Sequence, residues 1–203
     1  MEPANLSDIP KLEKPGAGVP WAEGLLYRYY VGPFVAARSD WKKNWQTFDR
    51  INQKTLALAV TLSDEQLKTR VLVPRLQGLE DSSRYWSVAM TLEHLTFVGT
   101  GITSIVKSLG HNIAPPIKVN TASLKPKGGH DPQIDIAAFR AFAANTQQAI
   151  ESDIMLPASR LRKLDHPWFG PFDALQWQWM LGVHGIIHYR QIKAIIAGLK
   201  SSS

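Results

Sequence analysis

Apolar side chains recur every three or four positions along four stretches of the chain, each bounded by residues that start or stop helices. Trp41, Trp45, Phe48, Ile51, Leu56, Leu58 and Val60 follow Ser39 and Asp40, either of which can cap a first helix. Ser82 or Ser83 opens a second that reaches Leu109, with Trp86, Met90, His94, Phe97 and Ile102 close to one face and Gly110 marking its end. A third covers about Gln133 to Met155 through Ile136, Phe139, Phe142, Ala143, Thr146 and Ile150, with Pro157 beyond it. The fourth runs without proline from Phe172 to Leu199, and Asp173 stands at its start.

Between these stretches the pattern breaks. Residues 1–38 hold Pro3, Pro10, Pro15, Pro20 and Pro33, which exclude one long helix and predict an arm laid over the domain, pinned by burial of Trp21, Tyr27, Tyr29 and Tyr30. Ser63-Asp64-Glu65-Gln66 reads as a short helix start, and Arg70-Val71-Leu72-Val73 as a brief strand or extended link. Residues 110–132, with Pro115, Pro116, Pro126, Gly128, Gly129 and Pro132, form a long connection of the kind that borders a pocket. Four long helices with no evident strand pairs predict an all-α fold, a four-helix bundle over 39–203 preceded by the arm 1–38.

Composition narrows the chemistry. At 203 residues and 44% hydrophobic the chain can bury one domain core. The absence of cysteine excludes disulfides, thiolate ligands and a cysteine nucleophile, so any metal must sit on nitrogen and oxygen. The net charge of +6 is spread over Lys42 and Lys43, Lys125 and Lys127, and Arg160, Arg162 and Lys163, which reads as solvated surface rather than a nucleic-acid face. The opening Met1-Glu2-Pro3-Ala4-Asn5-Leu6 lacks the basic and apolar regions of a signal peptide, and no run has the ~18 apolar residues of a spanning helix. The expectation is a cytoplasmic protein with no membrane partner.

His184 and His188 lie one turn apart on the fourth helix, where Cβ atoms are about 5–6 Å from each other and both rings can reach one ion at roughly 2.0–2.1 Å. Metal sites in bundles are built from facing helices, so His94 on the second helix completes a candidate set of three that leaves a coordination position open. Neutral imidazoles suit Zn, Ni or Fe. Each histidine also has a plainer reading as a hydrogen-bonded core residue. His111 and His130 fall in the long connection and read as solvent-exposed; His166 precedes a proline in a turn. Glu93 points about 100° away from His94 and reads as a solvated acid. Trp177, Trp179 and Met180 read as core or pocket wall.

Trp86-Ser87-Val88-Ala89-Met90-Thr91-Leu92-Glu93-His94-Leu95, then His166-Pro167-Trp168-Phe169-Gly170-Pro171, then His184-Gly185-Ile186-Ile187-His188-Tyr189-Arg190-Gln191-Ile192, in this order and spacing, resemble the DinB-like family of metalloenzymes over about residues 39–199. The resemblance implies a four-helix bundle with a long crossover, a metal triad of His94, His184 and His188, and a homodimer. It implies a divalent metal, Zn or Ni, and a thiol-dependent S-transferase using a low-molecular-weight thiol on a small-molecule substrate. The alternatives are a metal-dependent hydrolase and a non-catalytic metal-binding or stress-response protein.

Overall fold

A computed structural model describes residues 10–116 and 119–201; positions 1–9, which include the stretch read for a signal peptide, lie outside it, as do 117–118 and 202–203. Four long helices carry the fold: α2 (Trp41–Ala59), α4 (Val88–Gly110), α5 (Pro132–Glu151) and α6 (Ala174–Ser201), with α1 (Trp21–Leu26) and α3 (Asp64–Lys68) short. Each long helix starts at a side-chain cap that satisfies an otherwise orphaned amide. Asp40 accepts from the Lys43 amide, Ser87 from Met90 and Asp131 from Gln133, while Asp173 and Gln176 bond reciprocally at 3.1 Å.

The second long helix begins four or five residues later than the periodicity predicts. Ser87 is its cap, not Ser82 or Ser83: Asp81–Ser83 is a single 3₁₀ turn, and Trp86 belongs to a strand. Two small antiparallel pairings correct the expectation of no strand pairs, and the first contains the brief strand expected within Arg70–Val73. β1 (Val71–Leu72) aligns Val71 with Trp86 of β2 (Tyr85–Trp86), and β3 (Leu164–His166) aligns His166 with Gly170 of β4 (Gly170–Phe172). The third long helix ends at Glu151, four residues before Met155.

Helices α2 and α6 run parallel. Asn44 donates to Gln178 Oε1 at 2.7 Å, and further along Gly182 meets Phe48 and Gly185 meets Ile51. The glycines permit this approach, since a Cβ on Gly185 would lie 2.8 Å from Ile51 Cγ2. Helix α4 is antiparallel to α6, with Trp86 beside His188 and His94 beside His184. It is parallel to α5: Gly128, just before α5, touches Met90, and Gly99 abuts the Phe142 ring, where a methyl would collide. The order is therefore up, down, down, up, and the crossover 111–131 must return along the ~34 Å that 23 residues of α4 span.

Of the arm, residues 10–20 are irregular and residues 21–38 form a succession of short helical segments rather than one long helix. After α1 the chain winds in wide π-type turns over Tyr27–Val35 and a 3₁₀ turn over Ala36–Arg38. Pro20 precedes the first helical residue, and Pro33 lies in the widened stretch. Of the four aromatic anchors only Tyr27 is buried, stacked on Phe169 at 4.9 Å; Trp21, Tyr29 and Tyr30 are 78%, 66% and 58% exposed. Tyr27 and Ala36, with Val19 and Val31 beside them, join the core, and polar contacts add to this hold: Glu23 to Arg75 at 2.6 Å, and Gln176 Nε2 to the Gly32 carbonyl at 3.1 Å. Among the described residues no helix is long and apolar enough to cross a membrane.

Candidate metal centre

His94, His184 and His188 converge between α4 and α6. Their ring centroids are 4.5 to 5.0 Å apart, and one nitrogen from each falls within 4.8 Å of the others. His188 is 4% and His94 8% exposed, and His184 keeps some accessible surface. Trp86 forms a wall, stacked on His188 at 5.8 Å and tilted against His94 at 5.0 Å.

Hydrogen bonds fix which nitrogen each ring presents. The Nδ1–H of His94 donates to the Leu124 carbonyl at 2.7 Å, since a carbonyl only accepts. Gln191 Nε2 donates to the Ser83 carbonyl at 2.7 Å, which turns Gln191 Oε1 toward His188, so His188 Nδ1–H donates to it at 2.7 Å. Both rings therefore hold their hydrogen on Nδ1 and offer the Nε2 lone pair to the cluster, the tautomer a metal-binding histidine needs. His94 Nε2 stands 3.1 Å from His184 Nε2. Two such nitrogens on one tetrahedral ion at roughly 2.0–2.1 Å are about 3.3 Å apart, so a small movement seats both. The donor set fits a divalent metal ion.

Electrostatics keep the rings neutral. Burial, the neighbouring His188 and Lys125 hold His94 well below the usual imidazole range, against the opposing bond to Leu124. Burial and the other histidines, His166 included, do the same to His184. His188 is lowered to about 4 by burial, opposed by its bond to Gln191. Three imidazoles that stay unprotonated at neutral pH can bind a cation without first losing protons.

The remaining candidates separate cleanly. His111 and His130 are exposed, beside Asp153 and Asp135 respectively. His166 ends β3 inside a box of Trp168, Phe169, Phe172 and Trp177, its Nδ1 accepting from the Trp168 amide, and burial lowers it to about 3. Trp177 and Met180 are core, and Trp179 lines a surface groove. Glu93 is not a free surface acid: its carboxylate accepts from the Lys127 and Gly128 amides at 3.1 and 2.9 Å. Sequence reasoning also passed over Gln191, Leu124 and Lys125. Gln191, three residues after His188 on the same helical face, was the one with a local signal.

The crossover does border a hollow, but not at the histidines. One of about 460 Å³ is lined by Lys107, His111, Ile113 and Asp153; another of about 400 Å³ lies among Arg38, Lys43, Arg50, Trp179 and Val183. Neither includes the triad. The candidate centre is chosen on chemistry rather than on shape, because three clustered imidazoles, two of them with a set tautomer, could hold a metal ion and an open polar dent could not.

No curated protein and no solved structure matches the chain. Residues 47–192 match the model of the DinB superfamily and span every element that builds the histidine cluster. The chain belongs to the DinB superfamily.

Proposed function

We propose that the protein is a divalent-metal-dependent enzyme, a transferase that uses a low-molecular-weight thiol, with His94, His184 and His188 holding Zn or Ni. The observation that carries this reading is the pair of Nδ1–H donations, to Leu124 and to Gln191, which aim two lone pairs at the third ring. A divalent ion held there supplies Lewis acidity that makes a thiol or a water nucleophilic near neutral pH. The side chains do the rest: Trp86 closes one wall and the buried imidazoles exclude bulk water. A chain without cysteine must take its sulfur from a cosubstrate.

The same reading includes a homodimer. Trp21, Leu25 and Tyr29 form one row four residues apart, and Leu26, Tyr30 and Phe34 a second, all exposed and opposite the buried Tyr27 and Gly32. A second copy supplies the self-complementary apolar face that such a surface needs. The function is tested by metal analysis of protein purified without an affinity tag, then thiol transfer with and without chelator. Bound metal with chelator-sensitive transfer is expected. Bound metal with no transfer to any electrophile would leave a binding protein, and hydrolysis without thiol would make it a hydrolase.

A further inference from the structure

We propose that segment 124–128 of the crossover is a latch on the metal centre, with Lys125 and Glu93 as its positioning residues; this rests on the metal reading above. Both ligands whose tautomers are fixed trace back to this one segment. His94 bonds the Leu124 carbonyl directly. His188 reaches it through Gln191 and Ser83: Ser83 takes Gln191 on its carbonyl and Lys125 Nζ on its hydroxyl, the latter at 2.8 Å.

The segment has little to hold it by itself. Among the described residues of this 21-residue connection, the 3₁₀ turn Thr121–Leu124 has no fully buried residue. Its seating depends on charge. The Lys125 ammonium pairs with Glu80, 4% exposed, and lies 5.7 Å from the centre of the Trp86 ring that walls the site. Two residues on, the Glu93 carboxylate grips the Lys127 and Gly128 amides, and Gly128, at φ +68°, lies against Met90. Glu93 immediately precedes His94, the partner of Leu124, on α4, so grip and ligand move as one rigid piece.

The Leu124 group is main chain and orients His94 only while the crossover is seated. Seating then raises metal affinity, and by linkage metal must tighten the seating in equal measure. Glu93 and Lys125 are far from catalytic themselves; they act through the carbonyl and hydroxyl that they place.

The test is hydrogen exchange on the full chain with zinc or with chelator, joined to zinc affinity by competition with a chromogenic chelator. Zinc is expected to slow the Lys127 and Gly128 amides at least tenfold. Glu93→Ala and the double variant Lys125→Met with Glu80→Gln should each weaken zinc by about 10–100-fold, and Lys125→Arg should retain it. The double variant avoids stranding a buried Glu80 charge. Variants that melt lower yet bind zinc like the wild type would reduce these contacts to structural ties and overturn the proposal, as would zinc binding with no change in exchange at 127–128. A wild type that binds zinc no better than His188→Ala would remove the metal reading and the latch together.

Discussion

His188 and Gln191 sit three residues apart on one face of α6, and the Gln191 amide, anchored on Ser83, decides which nitrogen of His188 carries the hydrogen. Gln191→Leu should therefore weaken metal binding by about 10–100-fold although Gln191 is no ligand. Zinc titration of the folded variant checks this; unchanged affinity would mean that His188 selects its tautomer unaided.

His188→Ala should lose most of the metal affinity and leave the bundle folded, because a site with an open position contributes less to folding than a closed one. His111→Ala, in an exposed residue beside Asp153, should change neither. Equal metal content in wild type and His188→Ala, measured on folded protein, would sink the triad.

Stability should fall on acidification through a window that the buried imidazoles set. His166 and His188 have folded values of about 3 and about 4, below the 6.5 of the free side chain. The unfolded chain therefore binds more protons, and stability is complete above pH ~6.5 and declines as pH falls toward those lower values, at about 1.4 kcal/mol per unit and per group. His166→Asn keeps an acceptor for the Trp168 amide and removes one titrating ring, so it should flatten the decline. Thermal melts from pH 7 to pH 4 measure it; parallel curves for wild type and variant would contradict the assignment.

The threonines of the long helices divide by what their hydroxyls do. Thr91, Thr96, Thr100, Thr103 and Thr146 each donate to the carbonyl four residues back, whereas the Thr55 hydroxyl is buried with no partner among the described residues. Thr55→Val should raise the melting midpoint by about 2–4 °C, since it removes an unsatisfied polar group at constant shape. Thr91→Val should lower it.

Replacing Trp21 and Tyr29 by serine should shift a dimer to monomer without moving the melt of the bundle, because both side chains are mostly exposed within one copy. Sedimentation of wild type and variant decides. A wild type that is monomeric at every working concentration removes the dimer.

Much of this was legible in the chain itself. Helix limits followed where a cap is a local event, as at Asp40 and Asp173. The pair His184 and His188 was local too, and His94 showed as a polar residue on an apolar face. Trp86 misled because it stands four and eight positions before Met90 and His94, a helical spacing that a strand beside the same core reproduces by accident. The arm aromatics misled because composition cannot say which side of a helix meets the domain. Glu93 and Lys125 were beyond reach: their partners lie 34 to 45 positions away, and only the path of the crossover brings them together.

His94 and His184 touch across 90 positions of sequence. Closing a loop of that length is an entropic barrier met late in folding, after local helices and hairpins have formed. The helices made before α6 carry only His94 of the three, and the His184 and His188 pair lacks its third partner until α6 docks. Metal would then be acquired by the finished bundle rather than guide its assembly. Refolding rates should accordingly be the same with zinc as with chelator, and only the unfolding rate should slow when the ion is present.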